Sequence, residues 1–358
     1  MKSSRIRIGI THGDINSISY EIILNTLTDN RILEFCVPIV YGSAKAAAYH
    51  RKTLNITNLN INTVRNVDEI NNRKANLINC VDDDIKVELG KSTQLAGESA
   101  FKALENVVVD LKSGKIDVLV TAPINKSNIQ SSKFQFKGHT DYLQERFGVE
   151  EVLMFMISDM MRVGLVTEHV SLNQVSPLIT GNRILGKLKI MNRSLIEDFN
   201  ISKPKIAVLG LNPHASNKGL MGKEEEEVII PAIKTANETG LIVLGPFPAD
   251  GFFGSGNFKK FDAILAMYHD QGLAPFKALA MDNGVNFTAG LPIVRTSPAH
   301  GTAYELAGKG IASADSFRSA IYNACDIFKN RNSYKELISN QLKPLASNLN
   351  VPDVQEIQ

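Results

Sequence analysis

The chain has 358 residues, 44% of them apolar and 21% charged, the balance of an ordinary folded protein and enough material for two domains. Thirty-nine Lys and Arg against 37 Asp and Glu leave a formal charge of +2, so no global field draws the molecule to nucleic acid or to an anionic membrane, and any anion must be held by a local basic site. Cys36, Cys80 and Cys325 are scattered, odd in number and without C-x-x-C spacing, which argues against a disulfide framework or a cysteine zinc site and fits a reducing cytoplasm. The N-terminus lacks an apolar h-region, and the strongest apolar run, Val152–Ile157, is too short to cross a bilayer.

In chain order, short β-branched or apolar runs predict strands at Ile6–Ile10, Val37–Tyr41, Val118–Thr121, Val163–Thr167, Ile206–Leu211, Leu241–Leu244 and Ala263–Tyr268. Helical patterns lie between them at Gly97–Ser113, Ile184–Phe199 and Glu224–Asn237, and the last residues of the tail after Asn330 are expected to be loosely held. Alternation of strand and helix over this length predicts an α/β fold with a largely parallel sheet. No internal repeat and no linker-like stretch divides it.

Ligands of open α/β sheets bind beyond the carboxyl ends of the strands, and the sequence concentrates its chemistry there. The strands lead into Thr11-His-Gly-Asp14, Ala122-Pro-Ile-Asn-Lys126, Glu168-His169, Asn212-Pro-His214 and His269-Asp-Gln-Gly272. His169, His214 and His269 are candidate ligands for one divalent metal, although their separations match no local metal motif and each alone reads equally as a loop histidine bonded to backbone. Three imidazoles suit zinc or cobalt, and tolerate magnesium. A second constellation is cationic and polar: Lys126, His139, Thr140, Lys277, Asn286 and Arg295 flank strand ends or helix starts, where Arg offers a planar fork, Lys a point charge and Thr a hydroxyl to a small anionic substrate.

Other signals carry less. Gly181-Asn-Arg-Ile-Leu-Gly-Lys187 matches the opening of a phosphate-binding loop, but Leu188 replaces the magnesium-binding hydroxyl and no strand precedes it, so it reads as a helix start. Gly254-Ser-Gly256 lacks the third glycine of a dinucleotide fingerprint. Glu224–Glu227 read as a solvated helix start, and Met160-Met161 as core.

Taken together, Thr121-Ala-Pro-Ile-Asn-Lys126, Gly138-His-Thr140, Leu211-Asn-Pro-His-Ala215 with Met221-Gly222, Gly245-Pro-Phe-Pro-Ala-Asp250, Ala266-Met-Tyr-His-Asp-Gln-Gly272, Gly284-Val-Asn286, Gly290-Leu-Pro292, Arg295-Thr-Ser297 and His300-Gly-Thr-Ala303 resemble, in order and over nearly the whole chain, the 4-hydroxythreonine-4-phosphate dehydrogenases (PdxA). The resemblance implies NAD-dependent, metal-dependent oxidation of the C3 hydroxyl of 4-phosphooxy-L-threonine, then decarboxylation to 3-amino-2-oxopropyl phosphate, in pyridoxal phosphate biosynthesis. It also implies a homodimer whose metal is bound by residues matching His169, His214 and His269 from both subunits, with substrate contacts at His139, Thr140, Lys277, Asn286 and Arg295. The implied fold is that of isocitrate and isopropylmalate dehydrogenases: residues 1–135 with 296–358 as one α/β domain, 136–295 as a second carrying metal ligands and dimer contacts, and no Rossmann fingerprint. Asp250, Asp270 and Lys277 are candidates for proton transfer, ligand orientation or charge balance.

One segment departs from the family. Its opening loop, of the form T-x-G-D-P-x-G-I-G-P-E, reads here Thr11-His-Gly-Asp-Ile-Asn-Ser-Ile-Ser-Tyr-Glu21. Losing two glycines and two prolines removes positive-φ freedom and fixed φ, so a different backbone path is expected. Three rivals remain: a sister dehydrogenase acting on threonate or erythronate 4-phosphate, a metal-free phosphate acyltransferase of the same superfold, and a non-catalytic binding protein. The strand-end histidines and intact cations speak against the last two.

Overall fold

Strands buried on both faces read as continuous apolar runs, and the runs above supply seven strands of a twelve-stranded sheet. The computed structural model describes residues 5–82 and 84–339. The strands are β1 (Ile6–Thr11), β2 (Cys36–Gly42), β3 (Ile61–Val64), β4 (Ala75–Asn79), β5 (Val118–Thr121), β6 (Leu153–Ile157), β7 (Arg162–Leu165), β8 (Lys205–Leu209), β9 (Ile242–Phe247), β10 (Ala263–Ala266), β11 (Val285–Ala289) and β12 (Val294–Pro298). Their spatial order is β3-β4-β2-β1-β5-β12-β11-β6-β7-β10-β8-β9. Pairing is parallel at both ends; β11 runs antiparallel to β6 and β12, and β6 antiparallel to β7. The α/β expectation holds, with a mixed rather than purely parallel centre.

All seven predicted strands are present, but Thr167, Leu211 and Tyr268 lie just past strand ends, in the loops. The run Val152–Ile157 contains β6, a fully buried central strand. Helix Gln94–Lys112 begins where Thr93 caps the Ala96 amide, and Ala96, Ala100, Ala103, Leu104, Val107 and Leu111 form its buried stripe. Helix Gly181–Glu197 is capped by Thr180, as the helix-start reading of Gly181–Lys187 requires.

Helix Asp315–Ser339 runs straight through Asn330 because Ala320, Ile321, Ala324 and Ile327 bury its core face; the last residues of the tail, expected to be loosely held, lie in 340–358, outside the described residues. Two expectations need correction. Met160 is exposed, and only Met161 is core. Glu225 is buried rather than solvated, since its carboxylate accepts the Asn212 backbone N–H at 2.7 Å and the Asn212 amide at 2.9 Å, pinning the loop that carries His214.

A buried ion pair joins distant segments: Arg331, on the last helix, donates to Asp198 and to the carbonyls of Leu291 and Ile293. The first loop, Thr11–Glu21, is buried throughout. The replacements in it make their own bonds: Ser17 Oγ donates to the Asp14 carbonyl at 2.7 Å, Ser19 Oγ to the Pro123 carbonyl at 3.0 Å and Tyr20 to the Ser43 carbonyl at 2.9 Å. His12, between Tyr20 and the Ser99 carbonyl, and His50, against the Ile15 carbonyl, are both held neutral by burial, each lowered to about 4.

These two histidines set an acid limit on stability. Between a native value of about 4 and the ordinary 6.5 the unfolded chain binds protons that the native chain refuses, so stability is full above pH 6.5 and is lost as pH falls. The expected loss is roughly 2 kcal/mol per histidine by pH 5. Urea midpoints at pH 7 and pH 5, compared with those of His50→Gln, check it: the variant should lose about half as much.

Candidate active-site cleft

The central strands deliver the conspicuous polar residues to one cleft. It is lined by the exit of β5 (Thr121–Ile124 and Lys126), the start of helix His139–Arg146, the β7 exit loop with Glu168 and His169, the start of helix His269–Ala280 with His269 and Lys277, Asn286 of β11, Arg295 and Ser297 of β12, and His300. Two glycines allow the β5 exit loop to lie where it does. A Cβ at Gly97 would stand 2.0 Å from the Asn128 carbonyl oxygen, and one at Gly13, which has φ +68°, would stand 2.4 Å from that of Pro123. Asp14 then accepts from Asn128 at 2.8 Å and from Tyr304 at 2.7 Å, tying the first loop to both the β5 exit and the segment after His300.

Arg295 is the electrostatic centre. It is 3% exposed, and it donates to Thr121 Oγ1 at 2.6 and 3.1 Å, to Thr288 Oγ1 at 3.1 Å and towards His139 Nδ1 at 3.4 Å. No carboxylate among the described residues pairs with it, nor with Lys126 or Lys277. Burial lowers Arg295 to about 10, and burial next to Arg295 and Lys126 holds His139 well below the usual histidine value, hence neutral. A buried cation held only by hydroxyls and an imidazole keeps its charge unneutralised, which is chemistry suited to an anionic ligand.

The histidines divide. His169 and His269 face each other with ring centroids 5.7 Å apart. Asp270 Oδ1 lies 2.7 Å from His269 Nδ1, which sets that nitrogen as the donor and leaves the Nε2 lone pair free, the arrangement that orients metal-binding imidazoles. His169 Nε2 lies 3.4 Å from the Lys126 ammonium, which can only donate, so that nitrogen carries a lone pair, here turned to Lys126. Their donor chemistry therefore fits a divalent metal.

His214 does not join them; it lines another cleft with Asp250, Tyr268 and Gln271, and no three His, Cys, Asp or Glu side chains of the described residues could hold a metal within one chain. His214 is exposed at the start of a run, His214 to Lys218, in which every residue has positive φ (53°, 47°, 64°, 47° and 57°), a strained backbone for non-glycine residues. Asp250 accordingly sits with His214 and away from the main cleft, whereas Asp270 touches His269 and is largely exposed. His139, Thr140, Lys277, Asn286 and Arg295 are all brought together. Asp141, Glu168 and Lys137 also line the cleft without having been singled out; Asp141 follows Thr140 and Glu168 precedes His169, so adjacency to a motif was the signal.

A mixed-sheet α/β enzyme with a cation-lined cleft over its central strands is the class that fold and site define. Residues 34–324 match the family model described as "Pyridoxal phosphate biosynthetic protein PdxA", and the chain belongs to that family of dehydrogenases. It is 54% identical over 344 residues to the 4-hydroxythreonine-4-phosphate dehydrogenase of Bacteroides thetaiotaomicron, covering 96% of this chain and 94% of that one. The D-threonate 4-phosphate dehydrogenase of Cupriavidus necator is 35% identical, with 90% and 98% covered. The crystal structure of the Klebsiella pneumoniae 4-hydroxythreonine-4-phosphate dehydrogenase superposes with a TM-score of 0.79 at 30% identity, covering 92% of this chain and 99% of that one.

Inorganic phosphate reads the anion site without catalysis. At a concentration of about 100 Kd it should stabilise the wild type by about 2.7 kcal/mol, and Arg295→Met should abolish that shift. Thermal denaturation of both proteins with and without phosphate is the measurement; an equal shift in the variant would remove Arg295 from the anion site.

Proposed function

We propose that this protein oxidises the C3 hydroxyl of 4-phosphooxy-L-threonine with NAD and a divalent metal, after which the 3-oxo acid loses carbon dioxide to give 3-amino-2-oxopropyl phosphate for pyridoxal phosphate biosynthesis. The observation that carries this reading is the unpaired, buried Arg295 beside the His169–His269 pair: an anion site within one cleft of two metal-competent imidazoles. The names of the relatives supply the substrate. In this reading the cleft lies between two lobes, 1–135 with 296–358 and 136–295.

Arg295, Lys277, Asn286, His139 and Thr140 would bind and orient the doubly anionic substrate; the neutral His139 leaves the full charge of Arg295 to it. His169, His269 and the His214 of a second copy would hold the metal, which when bound supplies Lewis acidity towards the C3 oxygen. NAD, when bound, would supply the hydride acceptor, and the hydroxyl proton would pass to a carboxylate of the site or to solvent. His300 Nε2 and Asn286 Oδ1, both buried at the cleft without a partner, leave hydrogen-bonding capacity for cofactor or substrate. Asp270 would hold His269 in one tautomer, Asp250 would stand beside His214, and either carboxylate could carry a proton. The strained and exposed His214 loop is the part of one chain offered to another, so we place the complete site at a homodimer interface.

Two measurements test this. NADH formation should be chelator-sensitive and faster with 4-phosphooxy-L-threonine than with threonate or erythronate 4-phosphate; the reverse preference would assign the sister activity of the Cupriavidus relative, and inactivity on all three would reject the reading. His169→Ala and His214→Ala should each be inactive alone, while dimers reassembled from an equal mixture should regain about a quarter of wild-type activity, since half are heterodimers with one intact site. No recovery would place the three histidines within a single subunit's site.

A further inference from the structure

The cleft carries side chains of both signs that make no direct ion pair among the described residues. Asp141, in the first turn of helix His139–Arg146, and Glu168, next to His169, line the same cavity as Arg295, Lys126 and Lys277. Neither carboxylate takes part in an ion pair among the described residues. Lys187, the buried cation at that end of the cleft, donates to the Val152 carbonyl at 2.5 Å and lies 3.4 Å from Glu151, so it acts on Glu168 through space and without an ion pair. Nor do the two carboxylates complete a metal site with His169 and His269, since no three such side chains are placed to hold an ion. A third acceptor, Asn286 Oδ1, is buried at the cleft without a donor.

The two substrate classes named among the relatives differ at one atom, an amino group against a hydroxyl at C2. An amine offers more N–H donors than a hydroxyl and, protonated, a positive charge; a carboxylate wall therefore favours it, whereas the cationic wall treats both substrates alike. We propose that Asp141 and Glu168 accept the C2 amino group and set the preference of this cleft for a phosphorylated α-amino-β-hydroxy acid over the matching α-hydroxy acid. The inference rests on the substrate reading above and deepens it: Arg295 and its neighbours take the anions, and Asp141 with Glu168 selects the amine.

The test is the ratio of kcat/KM for 4-phosphooxy-L-threonine to that for threonate or erythronate 4-phosphate, measured for the wild type, Glu168→Gln and Asp141→Asn, with metal content and thermal denaturation recorded for each. Both substitutions keep shape and remove charge. The expected result is a ratio lowered at least tenfold in one or both variants, with metal content equal to that of the wild type. Equal losses on both substrates in both variants would overturn the acidic wall while leaving the dehydrogenase reading intact. A wild type that oxidises neither compound, or prefers the hydroxy acid, removes the substrate reading and this inference with it.

Discussion

The cleft is organised around a cation with no counterion among the described residues. Enclosing a guanidinium costs several kcal/mol unless its hydrogen-bonding capacity is met, and here Thr121, Thr288 and His139 meet it without neutralising it. Had a carboxylate been supplied, the charge would have been cancelled internally. Hydroxyls orient the fork and leave its field intact. Burial, joined by that field and by Lys126, keeps His139 neutral, so the wall around Arg295 has a defined protonation state at neutral pH.

Holding that arrangement falls to segments that touch no substrate. The first loop is buried along its length and serves as a bed for the β5 exit: Asp14 and Ser19 contact its backbone or side chains, and Gly13 and Gly97 let the chains approach where a Cβ could not fit. Serine and tyrosine hydroxyls stand where the family has glycine and proline, and they satisfy backbone groups locally. Across the molecule the Asp198–Arg331 pair fastens the last helix to the β11–β12 connection, close to the strand that carries Arg295. Such support keeps the cleft residues preorganised, so binding energy is not lost in ordering them.

The histidines show the opposite strategy. One chain assembles two imidazoles and leaves the third outside, on a backbone run that no isolated loop of non-glycine residues would favour. Glu225 and Glu224 grip Asn212 at the base of that run, so its shape is imposed by the fold rather than by its own preferences. Strain of this kind persists where the surroundings over-determine it, and a ligand residue presented outward on a stiff loop suits a site completed by another surface.

Much of this was legible in the sequence. Period and composition gave the α/β alternation, because buried parallel strands must be apolar on both faces, and the motif residues after β5, β7, β8 and β10 fell at strand ends where ligands bind. Edge strand β3, with its Asn and Thr, and strands β11 and β12, with Asn286 and Arg295, were not legible, since their polar residues face the cleft or an open edge and break the pattern. The helical continuation past Asn330 was hidden by polar residues on its outer face. Sequence alone determined which residue types carry the chemistry, because side-chain identity fixes charge, donor capacity and pKa range. Only the tertiary structure decided that Arg295 has no carboxylate partner among the described residues, that Asp141 and Glu168 line the same cleft, and that His214 leaves the other two histidines, because distance and burial between residues far apart in the chain are properties of packing.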